Sequence, residues 1–564
     1  MSLFFACFVL HVWNGEQLFI PFYYEGDPLF YLMTIKSVVT TGWYWTNPLI
    51  GAPGVHTLAD FPTPEAANYL IIKFLSLFSD NPIFINNVFY LLTFPLSALT
   101  AFLVLKRWGL LSPFAATGAL LFSLLPYHFM RFIVHGHLFL AAYYVIPLLT
   151  YLAIFIYENQ PIVLGKKRWF YWSGYLLCAI LGGSAGIYYA FFGSFFLLVA
   201  GICASLERQK IRPLCHALLF IGVISATVVV NLLPTITHVI ENGKNNNVAH
   251  RSMSESEVNG LKITQLLLPM DQSRIEMFSN LKSKYNTSGV FLNENMTVTL
   301  GTVAGIGFLI LLFRFFVHRE GVSAYHVKMG GLARLTLAGL FFGTIGGFSS
   351  LFALLVSTKI RAPNRISIYL GFFALAAFFF LLQELLKKVK SRTIVISCAI
   401  VSLFLGVYTQ TSRDFDLSKR LSKTQKEYEE DQIFFSKIDQ FLPEKSMIFQ
   451  IPYIPFPEYG NSDYFHFKAH MHAPHQRWSF GTMKGRLVDQ WQKKTSHLPV
   501  EQLLRELINT GFSGILVDRT VYEEPGKVLE QELYPLLGAP IIVEDKRSFW
   551  DLRSYREATS STLR

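Results

Sequence analysis

Long apolar windows, almost free of charge, alternate with polar stretches along most of this chain. Val88 to Leu105, Leu138 to Tyr157 and Ile366 to Leu382 are three of them. Each is long enough, or nearly so, to cross ~30 Å of hydrocarbon as a helix. The pattern places spans near 1–14, 82–105, 112–128, 138–157, 169–183, 187–205, 214–234, 298–317, 335–358, 366–386 and 393–409, about eleven crossings. Three polar segments are longer than the other connections: 14–81, 235–297 and the tail 410–564.

Charge orients the spans. Lys106 and Arg107, then Lys166, Lys167 and Arg168, then Arg208, Lys210 and Arg212, then Arg314, Arg319, Lys328 and Arg334, then Lys387, Lys388, Lys390 and Arg392 fall in alternate loops. Such loops are expected in the cytoplasm, which leaves the three long segments outside. The net charge of +11 therefore reads as topology, and nucleic acid is not an expected partner. Composition agrees: 52% of residues are hydrophobic and only 15% charged, against roughly 25% charged in a soluble protein. The five cysteines lie in or beside apolar windows, with neither disulfide nor zinc spacing.

The tail changes character. Lys419 to Phe441 and Val500 to Thr510 read as helices, while "SMIFQIPYI", "GILVD" and "PIIVED" read as short strands. The expected architecture is a polytopic α-helical membrane domain over 1–409 followed by an extracytoplasmic α/β domain over 410–564.

Chemistry-bearing residues gather in the outer loops. In "YYEGDPLFYLMTIKSVVTTG", Asp27 reads as a helix N-cap and Pro28 as the first helical residue, with the helix closing near Gly42. In "DFPTPEAANYL", Thr63 reads as a cap and Pro64 as the opening of a second helix, with Asp60 just before. Both helices suit the membrane interface. Acids at that depth are costly unless solvated or paired, so Glu25, Asp27 and Asp60 are functional candidates. The same side carries "PYHFMRFIVHGH" with Arg131, His135 and His137, "GGSAGIYYAFF" with Tyr188, and "KIRAPNRIS" with Arg361 and Arg365. A carboxylate can take a proton from a sugar hydroxyl, and arginines can hold a phosphate by paired hydrogen bonds. Arg251, Glu255 and Glu257 of the middle loop read either as a cover over such a cavity or as a solvated loop. "FHFKAHMHAPH" in the tail reads as a histidine-bearing surface loop.

"EGDPLF" after the first span, "HGHLFLAAYYVIPLL", "GGSAGIYYAFF", "RAPNRISIY" and the tail stretch "HAPHQRWSFGTMKGR" together resemble the GT-C superfamily of integral-membrane glycosyltransferases, within it the bacterial YfhO-like branch. The resemblance implies a polyprenyl-phosphate-linked sugar donor and a glycan, lipid or polymer acceptor. Transfer would occur at the outer face of the bacterial cytoplasmic membrane. It implies Asp27 as the catalytic carboxylate, with Glu25, Asp60, Arg131, His135, His137, Tyr188, Arg361, Arg365 and His475 as substrate contacts. Many such enzymes carry a second acid where this chain has Arg131, His135 and His137, a departure that speaks against a strict two-acid or metal-dependent mechanism; a divalent metal ion is kept as an alternative and no metal ligand is assigned. Two other functions remain: a transporter or flippase for lipid-linked saccharide, which would want polar mid-membrane residues and repeated halves, and a non-catalytic assembly protein that would not need Asp27.

Overall fold

The computed structural model describes residues 1–159, 168–316, 323–389, 391–457, 464–521 and 526–562. Lys166, Lys167, Arg319 and Lys390 of the basic loops lie outside the described residues. The chain is a multi-pass membrane protein. Six described helices are long and apolar enough to cross a bilayer: Pro82–Arg107, Ser112–Val134, Ile187–Arg208, Arg212–Asn231, Pro363–Leu385 and Arg392–Gln410. Ile146–Glu158 and Gly301–Phe316 are shorter apolar helices.

Two of the continuous windows break. The window 138–157 divides into Leu138–Ala141 and Ile146–Glu158, and 335–358 divides between Ala324–Gly343 and Phe348–Leu355. Hydropathy alone does not register such breaks, because the interrupting turns are themselves apolar. The first break adjoins the cavity described below, which Phe139 and Leu140 help to line.

The helix Asp27–Thr41 forms over the expected residues and ends before Gly42. Its environment corrects the expectation. Pro28, Leu29, Phe30, Leu32, Met33, Thr34, Ile35, Lys36, Ser37 and Val38 are all buried. The helix is thus enclosed by protein rather than laid on a membrane interface. The second helix, Ala66–Leu75, fits an interface better, with Leu70, Phe74, Leu77 and Phe78 exposed along and just beyond it. It begins two residues later than expected: Glu65 is its N-cap, and neither Glu65 nor Thr63 caps it through a side chain.

The tail contains a five-stranded sheet in the spatial order Arg477–Trp478, Met447–Ile451, Phe512–Asp518, Arg547–Asp551, Ile542–Val543. The first three strands are parallel and the last two run antiparallel. The helices Ser418–Phe441 and Val500–Thr510 match their sequence patterns. "RSFWD", over Arg547–Asp551, is a central strand that the sequence hid, because Arg547 and Ser548 are polar yet buried. Their partners come from distant segments: Arg547 pairs with Asp431 at 2.5 Å, and Ser548 donates to Glu530 at 2.5 Å. The first loop joins this sheet. Trp478 N donates to Leu49 O and Ala52 N donates to Trp478 O, each at 2.9 Å. Ala52 sits in the tail's own hydrophobic core.

The "FHFKAHMH" stretch is also corrected. It is a short helix, Phe467–His472, and His466, His470 and His472 are buried rather than at the surface.

Candidate functional site

Turns from five segments meet at one end of the bundle. Asp27 opens its helix as the first helical residue and does not cap it. The N-cap is Gly26, at φ 61° and ψ −142°, a conformation natural to glycine. The Asp27 carboxylate therefore has no bond to its own helix terminus and is 45% exposed. Beside it, His137 Nε2 stands 3.4 Å from Asp27 Oδ2. That approach depends on Gly136, at φ 71°, because a methyl group there would overlap the Pro28 ring.

A cavity of about 180 Å³ is lined by Asp27, Tyr31, Glu65, His137, Tyr188, Arg361 and Arg365 among others. Five of the ten candidate residues thus come together. Two larger spaces adjoin it. One, of about 460 Å³, keeps Asp27, Tyr31, Glu65 and Arg361 and adds Phe30, Phe61, Thr63, Arg251 and Tyr464. The other, of about 760 Å³, keeps Tyr188, Arg361 and Arg365 and adds apolar Leu232 and Val239. Arg361 borders all three. A larger apolar groove of about 960 Å³ lies elsewhere, near Arg107 and Tyr171, and includes no acid.

The two arginines are held differently. Arg365 Nη2 donates to Glu294 Oε1 at 2.9 Å and Arg365 Nε to Oε2 at 3.2 Å, while its guanidinium lies 4.3 Å from the Tyr188 ring centre. Arg131, fully buried, donates to the same carboxylate at 2.5 Å and to Asn364 Oδ1 at 2.8 Å. Burial opposes ionisation of Glu294, but Arg365 and Arg131 outweigh it and hold the carboxyl well below the usual glutamate range. Arg361 reaches Glu255 at 3.2 Å and is 40% exposed, so it is the freer of the two.

Glu65 has the opposite character. Its Oε2 is shielded from solvent and has no hydrogen-bond partner. Burial pushes its pKa up to about 8, so the site holds one neutral carboxyl at neutral pH. The consequence for stability has a definite sign. Between about 4.3, the ordinary value, and about 8, the folded protein keeps a proton that the unfolded chain has released. Stability therefore falls as pH rises across that window. Glu65→Gln is expected to flatten the fall, as read from melting temperature in detergent between about pH 5 and 8. Equal slopes in both proteins would place the Glu65 carboxyl in solvent.

The other candidates lie apart from the cavity. Glu25 is exposed and does not line it. Asp60 borders the wider cleft but is bound on both oxygens by Arg486, at 2.7 and 2.7 Å, with Asn245 at 3.3 Å. It latches the first loop to the tail and the middle loop, and its lone pairs are occupied. His475 is at the tail surface, its Nδ1 2.6 Å from Asp439 Oδ2. His135 stacks near His137, with ring centres 5.7 Å apart. Burial, then Arg131 and His137, lower its pKa to about 4, so it is a neutral imidazole. Of the expected cover residues, Glu255 holds Arg361 and Glu257 accepts from Gly346 N at 2.9 Å.

Sequence reasoning missed Glu65, Glu294 and Tyr31. Glu65, two residues after Thr63, looked like an ordinary first-turn acid, and Glu294 stands in a loop without any motif. Among the described residues no three His, Cys, Asp or Glu side chains form a metal-ligand group.

No family model and no curated protein matches this chain. Solved structures do. ArnT from Cupriavidus metallidurans bound to undecaprenyl phosphate is 12% identical, with 98% of each chain covered and a TM-score of 0.55. The same protein in the apo state is 16% identical over 98% of each chain, at a TM-score of 0.49. The oligosaccharyltransferase AglB from Archaeoglobus fulgidus, in complex with an inhibitory peptide and a dolichol-phosphate, is 10% identical. There the match covers 92% of this chain and 68% of that one, at a TM-score of 0.44. The likeness to undecaprenyl-phosphate-bound ArnT over nearly the whole of both chains gives this protein the same overall fold as that structure.

Proposed function

We propose that this protein is a GT-C glycosyltransferase of the YfhO-like branch. It moves a sugar from a polyprenyl-phosphate-linked donor to an envelope glycan, lipid or polymer acceptor at the outer face of the bacterial cytoplasmic membrane. The observation that carries the reading is a single cavity that sets Asp27 and Glu65 against Arg361 and Arg365. Acids and arginines lining one cavity match an acceptor hydroxyl and a departing phosphate. ArnT, whose structure holds undecaprenyl phosphate, supports a lipid-phosphate donor by analogy of fold.

The donor phosphate lies against Arg361 and Arg365, and its isoprenoid chain leaves along Ile187, Leu232 and Val239 of the wider cleft. The acceptor enters from the space walled by Phe30, Phe61 and Tyr464, where aromatic faces suit the apolar faces of a sugar ring. The acceptor oxygen forms a bond to the anomeric carbon as the bond to phosphate oxygen breaks. The electron pair leaves with the lipid phosphate, and the hydroxyl proton goes to Asp27. Arg361 and Arg365 stabilise the charge that develops on the leaving group. Glu65, neutral, donates a hydrogen bond to a sugar hydroxyl.

The test is direct. Purified protein in nanodiscs is supplied with polyprenyl-phosphate-linked hexoses and assayed for release of polyprenyl phosphate and for a new glycosidic bond. Flipping of the intact donor across a vesicle membrane without cleavage would make the protein a transporter. Neither cleavage nor flipping with any donor of a broad panel would leave an assembly role.

A further inference from the structure

The helix that begins at Asp27 is held by a segment more than 430 positions further along the chain. Lys36 Nζ, with the residue only 6% exposed, donates to His470 O and to Met471 O, each at 2.7 Å. These carbonyls end the short helix Phe467–His472, where a cation is favoured. Among the described residues no carboxylate forms an ion pair with Lys36, and burial lowers its pKa to about 7. A buried amine without a counter-ion is a costly choice, since an apolar side chain of similar size fills such a space more cheaply.

A second fastener lies at the other end. Tyr24, three residues before Asp27, bonds through its hydroxyl to His472 Nε2 at 2.8 Å, with both residues buried. A third lies between them in space: Asn47 Nδ2 donates to Ser37 Oγ at 2.9 Å and lies 3.1 Å from His470 Nε2. Arg361 and Arg365 stand on and beside a different element, the turn Pro363–Ile366, and their ion pairs are with Glu255 and Glu294. The ion pairs that hold these arginines do not involve the tail helix Phe467–His472.

We propose that Lys36 and Tyr24 are positioning residues, through which the tail helix Phe467–His472 sets the Asp27 carboxylate against the cavity. The proposal rests on the reading of Asp27 as the proton acceptor, and its physical half stands apart from that reading. The tail is thus a working part of the reaction site, acting at a distance from any reacting atom. Lys36 carries the register of the helix along its axis, and Tyr24 fixes the strand of chain that enters Gly26.

Full-length Tyr24→Phe, Lys36→Met and Lys36→Arg proteins in nanodiscs test this with three measurements. The first is hydrogen–deuterium exchange over residues 24–35, where Tyr24→Phe and Lys36→Met are expected to lose protection. The second is undecaprenyl phosphate binding, expected within about twofold of the parent because the arginines are held elsewhere. The third is turnover with saturating donor, expected to fall between about ten- and a hundredfold in Lys36→Met and to recover in part in Lys36→Arg. Tyr24→Phe removes a single oxygen, so it decides the matter if Lys36→Met does not fold. Unchanged protection in Tyr24→Phe overturns the proposal, as does phosphate binding that falls in step with turnover. If the parent and Asp27→Asn proteins transfer equally well, the reading of Asp27 fails, and the exchange measurement still decides whether the tail orders this helix.

Discussion

Asp27→Asn is expected to lower sugar transfer by at least about a hundredfold, the lower end of what a positioned general base contributes, while undecaprenyl phosphate binding stays within about twofold. The expectation follows from where the carboxylate stands. Gly26 supplies the helix cap, so the Asp27 oxygens are not spent on backbone amides. The residue opens onto the same cavity as Arg361 and Arg365, and its side chain is 45% exposed. Asparagine keeps the shape and removes the basic site. Because no helix bond is lost, melting temperature is expected to change little, and surface substitutions of this kind stay within about 0.5 kcal/mol. Transfer by Asp27→Asn at the parental rate, from protein of normal abundance, would sink the assignment.

Glu294→Gln is expected to produce the largest loss of stability of any single change around the cavity. The carboxylate is the shared counter-ion of two buried arginines drawn from different elements. Removing one partner of a buried pair costs roughly 3–5 kcal/mol, because the remaining charge is stranded. Among the described residues the other hydrogen-bond acceptor of Arg131 is the neutral Asn364, so Arg131 loses its charged partner. The pH dependence has a definite direction. With the folded carboxyl well below its ordinary value, its contribution is complete above about 4.3 and is lost as pH falls through the depressed folded value. Acid is expected to destabilise the parent across that range and to leave Glu294→Gln nearly level. A loss below about 1 kcal/mol, the scale of an exposed pair, would mean that water reaches these arginines.

The parts of this structure that were legible from sequence are those fixed by local chemistry. Asp-Pro at one end and Gly42 at the other bracket the Asp27–Thr41 helix, and basic residues mark alternate loops. Asp27, His137, Tyr188, Arg361 and Arg365, each at an apolar-to-polar boundary of the sequence, line one cavity. Glu65 and Glu294 were not found because their roles are non-local: one is defined by what fails to approach its oxygen, the other by two arginines at positions 131 and 365. Asp60 and His475 misled for the same reason, since Arg486 and Asp439 claim them from elsewhere in the chain. Nothing short of the tail's placement would show the Lys36 amine enclosed by the carbonyls of His470 and Met471.

The pairing of Leu49–Ala52 with Trp478–Phe480 bears on how the protein is made. The segment that supplies Asp27 leaves the ribosome early, yet the strand and helix that receive it come more than four hundred residues later. Through nearly all of synthesis the bundle is inserted while its reaction site lacks one side. Contacts of such sequence separation close slowly, and until they close an unpaired edge and a buried-type lysine are open to chaperones and proteases. A chain that stops short of Phe467 would consequently be a membrane-inserted bundle without a finished site, and cells would read it as unfinished.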